Sequence, residues 1–83
     1  MRMFRNRTKD GKNNISGKNI ASLRTRLKDR PSQRKFAEML QRFGLDVDKN
    51  AIQRIESGER FITDIELKMI AEVLEVTCDQ LLG

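Results

Sequence analysis

Residues 48–60 read DKNAIQRIESGER, and the way this stretch folds decides the architecture of the chain. Asp48 carries a carboxylate that can cap the free amides of a helix start, and Gly58 supplies the left-handed residue that commonly follows a helix end. Between them the only large apolar side chains are Ile52 and Ile55. The spacing predicts a helix over 49–57 that buries a narrow stripe and shows everything else. Glu56 then stands beside that stripe, where a half-buried carboxylate needs a charged or hydrogen-bonding partner.

Outward from this helix, Gly44 is expected to end a preceding one, with GLDVD at 44–48 turn-like. Pro31 interrupts the chain and Ser32 is the expected N-cap of a helix over 33–42, with Phe36, Ala37 and Leu40 on one face. Before it, Ile20, Leu23 and Leu27 recur at helical spacing, which predicts a helix over 17–28 whose first amides Ser16 can accept from. On the other side, Thr63 and Glu66 have capping-box spacing, followed by Ile65, Leu67, Ile70, Ala71 and Leu74 as an apolar face for a helix over 64–74. Thr77 and Gln80 repeat the capping-box spacing and start a short fifth helix, with Leu81 and Leu82 to bury. No segment alternates like a strand, so the fold class is all-α, five helices around one core.

The chain has 83 residues, which suits a single small domain. Residues 1–14, MRMFRNRTKDGKNN, are polar and aperiodic and read as a disordered basic arm, leaving 15–83 as the folded domain. The bland reading of the arm is an unstructured terminus. The sharper one is a strap of charge that reaches along a phosphate backbone or into a minor groove.

The formal net charge is +5, unevenly spread. Residues 1–14 hold five basic side chains against one acid, residues 15–60 eleven against six, and residues 61–83 one against five. Such polarity suits one face for a polyanion and another held away from it. Histidine is absent and Cys78 is the only cysteine, which excludes an internal disulfide, an ordinary zinc site and any histidine-dependent triad. Cys78 reads as a small buried hydrophobe. A carboxylate pair such as Glu56 and Glu59 stands beside Arg54 and Arg60, with no Gly-rich phosphate loop or nucleophile motif nearby. The expectation is therefore no enzyme, no metal and no cofactor. No apolar run approaches the length of a bilayer span, and the start of the chain lacks the apolar stretch of a secretory signal, so a cytoplasmic location is expected, with no membrane partner.

Taken together, PSQRKFAEML, NAIQRIESGER and DIELKMIAEVLEVTCDQLL resemble the Cro/C1-type (Xre) family of helix-turn-helix regulators over about residues 16–82. Ser32, Gln33, Phe36, Ala37 and Leu40 match that family's second helix, and Ile52, Ile55, Glu56 and Gly58 match the end of its recognition helix. The resemblance implies a compact, lambda-repressor-like five-helix domain. Two features depart from the pattern. Ala37 and Ile52 are fifteen residues apart, so QRFGLDVD means either a longer second helix or a real loop. The recognition helix is also capped by Asp48, with Asp46 close by, where the family often has Ser or Thr.

The same resemblance implies roles for residues. Glu56 is expected to turn inward and form a structural ion pair with Arg24, and two extra residues before Gln33 leave Arg26 as a rival. Lys49, Asn50, Ala51, Gln53 and Arg54 are the expected base-reading set. Their chemistry fits, since Lys and Arg donate to guanine, Asn and Gln pair with adenine, and an alanine methyl can rest on a thymine methyl. Gln33 and Arg34 at the second helix, and Arg60 after Gly58, are the expected phosphate contacts. The implied function is a sequence-specific regulator, a repressor, bound as a homodimer to a near-palindromic site in double-stranded DNA; with no ligand-sensing domain in the sequence, the expected effector is a protein antagonist or proteolysis. The alternative is a protein-interaction module that keeps the fold but does not bind DNA by itself.

Overall fold

The structure, a computed structural model, describes residues 11–83, so most of the basic arm (residues 1–10) lies outside the described residues. Five helices follow one another: α1 (Gly17–Arg26), α2 (Gln33–Arg42), α3 (Lys49–Ser57), α4 (Asp64–Leu74) and α5 (Cys78–Leu82). Among the described residues there is no strand. Helix α3 packs on α1 and α2, α4 on α2, and α5 on α1 and α4. The core between them is built from Ile20, Phe36, Leu40, Ile52, Ile55, Ile70 and Leu81, each essentially inaccessible to solvent.

Helix starts follow the capping chemistry. Ser32 Oγ accepts the Lys35 amide at 3.1 Å, and the Asp48 carboxylate accepts the Ala51 amide at 2.8 Å. Both capping boxes close reciprocally: Glu66 N–H donates to Thr63 Oγ1 at 3.1 Å and Gln80 N–H to Thr77 Oγ1 at 3.2 Å, with the return bonds present. Helix α1 is the exception. Ser16 has helical backbone angles, and its side chain makes no cap bond. Asn14 does that work instead, its Oδ1 accepting the amides of Ser16 at 3.1 Å and Gly17 at 2.7 Å.

Helix α1 also stops two residues short of Lys28. Leu27 turns extended, Asp29 and Arg30 take positive φ of 71° and 42°, and the chain doubles back so that Arg24 Nη1 donates to the Pro31 carbonyl at 2.8 Å. The stretch between α2 and α3 is a real loop, residues 43–48, and its interior is apolar. Gly44 (φ 97°) and Leu45 donate to the carbonyls of Gln41 and Leu40, closing a left-handed helix end that turns Leu45 inward. Leu45 and Val47 join the core, 9% and 3% exposed, and Gln41 Nε2 holds the Val47 carbonyl at 2.6 Å. The loop is therefore a packed element, although its sequence reads as a plain turn.

Three apolar expectations need correction. Ile65 is 70% exposed, because a residue five positions before Ile70 lies about 140° away around a helix of 3.6 residues per turn. Val73 is buried on the α4 face in its place. Leu82 is also exposed and Cys78 is only partly buried, while Leu81 carries the burial of α5.

The first turn of α1 approaches the last turn of α3 closely. A Cβ placed on Gly17 would lie against the Ile55 carbonyl oxygen and 2.8 Å from that of Glu56. These are backbone atoms, so nothing there can swing aside. Gly-to-Ala changes inside helices ordinarily stabilise; here the sign reverses. Gly17→Ala is expected to destabilise by about 1 to 3 kcal/mol, through overpacking between two helices. Thermal unfolding checks it, with a melting point lowered by roughly 4 °C or more.

Candidate nucleic-acid interface

The interface is organised around α3, whose buried side is only Ile52 and Ile55. A stripe that narrow leaves the roll of the helix to polar contacts. Glu56 supplies them. Its Oε2 accepts Arg24 Nε from α1 at 2.7 Å, and its Oε1 accepts Arg24 Nη2 at 3.1 Å and Gln33 Nε2 from α2 at 2.9 Å. The two charged side chains are 14% and 7% exposed. Arg24 is thus the arginine that reaches Glu56, and one carboxylate joins α1, α2 and α3.

On the opposite side of α3, Asn50, Gln53 and Arg54 are exposed, and so is Lys49 at its start. Positions 50, 53, 54 and 57 share one helix face, so Ser57 belongs to it as well. That residue was not among those expected from sequence, although its distance of seven from Asn50 was the available signal. Ala51 sits differently from the others, partly buried against the core. Arg34, Glu38 and Gln41 of α2 line an open groove with Asp48, Lys49 and Asn50. Asp48 spends one oxygen on its cap to Ala51.

The residues expected at phosphates are placed unevenly. Arg34 is exposed at the first turn of α2, beside free helix amides. Gln33 donates inward to Glu56. Arg60 donates Nη1 to Glu66 Oε1 at 3.1 Å and to the Phe61 carbonyl at 3.1 Å, and Nη2 to Glu66 Oε2 at 2.9 Å. These bonds engage three of its five N–H groups. They hold the Glu66 carboxyl below its ordinary value, with burial opposing and the Thr63 amide reinforcing, and they raise Arg60. Residues 12–14, the inner end of the stretch read as an arm, lie against the exit of α3. Asn13 N–H donates to the Gly58 carbonyl at 2.7 Å.

Among the described residues no helix is long and apolar enough to cross a membrane, and no group of three or more His, Cys, Asp or Glu is placed to hold a metal ion.

Two predictions follow from the ion pairs. Glu56→Ala leaves Arg24 without its acceptor and is expected to cost about 1 to 3 kcal/mol, read as a shifted denaturation midpoint; an unshifted midpoint would show that the pairing contributes nothing. Glu66 has a folded pKa below its unfolded value of 4.5. Its contribution is therefore present above that pH and is lost as pH falls through the lower folded value. Glu66→Gln is expected to flatten the acid limb of stability, so that urea midpoints of parent and variant differ more at about pH 6 than at about pH 3.

A family model described as helix-turn-helix matches residues 32–81, from the cap of α2 to the buried leucine of α5. Comparison with curated proteins and with solved structures gives no match. The matched span is more than half of the chain and contains the capped α2, the packed loop and the whole of α3. The chain belongs to the Cro/C1-type (Xre) family of helix-turn-helix DNA-binding regulators.

Proposed function

We propose that this regulator is a sequence-specific repressor that inserts α3 into the major groove of double-stranded DNA. The observation that carries the reading is the polar face of α3, with Lys49, Asn50, Gln53 and Arg54 exposed on a helix whose other side is fixed to α1 and α2 through Glu56. Side chains of these types can satisfy base edges, and a fixed helix presents them in one register. Ala51, partly buried, is the base-reading candidate with the least free surface. Arg34 and the first amides of α2 supply phosphate contacts, with Gln33 adding its remaining amide hydrogen. Arg60 contributes charge whose reach is reduced by Glu66.

The acidic helices α4 and α5 point the packing side of the domain away from a polyanion. A homodimer on a near-palindromic operator, with its two α3 copies about 34 Å apart, is the arrangement that lets two such small domains read a full site. The protein acts in the cytoplasm, and its antagonist is another protein. A second reading has its own support. Phe61 and Ile65 are 52% and 70% exposed, and large apolar groups at a surface suit a module that binds a partner protein and leaves DNA alone.

Binding to duplex DNA under varied salt separates the two readings. A DNA reader weakens steeply as salt rises, while a protein-binding module gives no saturable shift. Within the first reading, Asn50→Ala and Lys49→Ala are each expected to cost about 1 to 3 kcal/mol on a duplex selected from a random pool, and little on random duplex. Arg34→Ala is expected to weaken both alike, since phosphate carries no sequence information. Competition binding at one fixed salt concentration measures these ratios.

A further inference from the structure

Carbonyl groups in and just after the last turn of α3 are held by a segment far away in sequence. Helix ends leave backbone carbonyls without intrahelical partners, and here residues 12–14 collect them. Asn14 Nδ2 donates to the carbonyls of Ile55 at 3.1 Å and Arg60 at 2.8 Å. Asn13 donates its backbone N–H to Gly58 at 2.7 Å and its side-chain amide to Glu59 at 2.6 Å. Lys12 Nζ reaches the Ser57 carbonyl at 3.1 Å, and its stem covers Gly58 so closely that a Cβ there would meet it at 2.8 Å. A cation at a helix C-terminus also suits the helix dipole.

Asn14 is the pivot of this strap, because its two ends serve different helices. Its Oδ1 caps α1 through the amides of Ser16 and Gly17 while its Nδ2 grips the exit of α3. Three polar anchors of helix α3 stand out among the described residues. Asp48 caps its start, Glu56 fixes its roll against α1 and α2, and the strap fixes its end. Asp48 and Glu56 themselves lie within residues 32–81, although Arg24 does not; the strap lies before all of them and comes from this chain's own N-terminal segment.

We propose that Asn14 is a positioning residue for sequence discrimination: it sets the pose of the second half of α3, where Gln53, Arg54 and Ser57 stand, by tying the exit of that helix to the start of α1. The proposal rests on the reading of α3 as the helix that meets DNA. Asn14 touches no base in this scheme. It acts through the carbonyls of Ile55 and Arg60, on either side of the turn at Gly58. Loss of the grip frees the exit of α3 while the core residues Ile52 and Ile55 keep the helix in place.

Two variants divide the functions of the side chain. Asn14→Ala removes both the cap and the grip. Asn14→Asp keeps an oxygen for the α1 amides and loses the donor, setting a negative charge against two carbonyl oxygens. The measurements are helicity by circular dichroism, amide hydrogen exchange at Gly58 and Arg60, and affinity for both a selected duplex and random duplex at one salt concentration, with Asn50→Ala alongside. The expected result for Asn14→Asp is unchanged helicity, faster exchange at those two amides, which donate to Ile55 and Arg54, and a specific-to-random affinity ratio lowered about tenfold, the scale of one lost bidentate base contact. A merely structural role would leave that ratio intact well below the melting point. If Asn50→Ala lowers the ratio and Asn14→Asp does not, the strap proposal fails and the reading of α3 stands. If neither lowers it, both fail. Protected amides at Gly58 and Arg60 in Asn14→Asp would overturn the grip itself, whatever the DNA does.

Discussion

One carboxylate fixes the relation of three helices. Glu56 accepts from Arg24 on α1 and from Gln33 on α2 while standing on α3, and Arg24 in turn holds the Pro31 carbonyl between the first two helices. Burying such a group costs desolvation, and an apolar trio of the same volume can be as stable. Apolar contacts, however, tolerate sliding and rolling, whereas a two-pronged arginine bond has one good geometry. The network therefore contributes orientation more than free energy. On a helix with a two-isoleucine stripe, orientation is what packing alone supplies least.

Much of this was legible because the signals were local. Ser32, Asp48, Thr63 and Thr77 cap helices within three residues of themselves, so the starts of α2 to α5 could be read directly, and Gly44 and Gly58 mark ends by the backbone angles they permit. The misreadings of α1 and of the loop after α2 turn on how the chain enters, leaves or joins its helices. Ser16 had the right chemistry to cap α1, but the chain enters that helix with Asn14 turned toward both α1 and the exit of α3, and the amide displaces the hydroxyl. Leu27 and Lys28 continue the helical spacing, yet the chain leaves the helix to bring Pro31 to Arg24. Leu45 and Val47 looked like part of a turn because Gly44 and two aspartates surround them; only the closure of α2 onto Leu45 shows them as core.

The candidate interface was legible in its residue types and less so in their freedom. Lys49, Asn50, Gln53 and Arg54 are exposed, as a polar helix face should be. Gln33 and Arg60, by contrast, each have a carboxylate partner, and a list of donors in sequence cannot reveal which acceptors the fold brings to them. Acids near a polyanion surface thus have distinct parts. Asp48 and Glu66 complete helix caps, Glu56 and Glu66 orient cations, and the exposed carboxylates of α4 and α5 stand on the helices that make up the packing side.

Asn19 of α1 donates its side-chain amide to the carbonyl of Leu81 at 2.8 Å, across sixty-two positions of sequence. Arg24 to Glu56 is a second polar tether that runs from the first helix to a residue synthesised well after it. Contacts of this span are slow to form, because a large loop must close before they reward the chain. During synthesis, then, α1 is made before the other four helices described, and its tethers to α3 and α5 form late. Until Leu81 has emerged, the nascent chain carries the exposed apolar side of α1, and the span from Asn19 to Leu81 sets how long that vulnerable interval lasts.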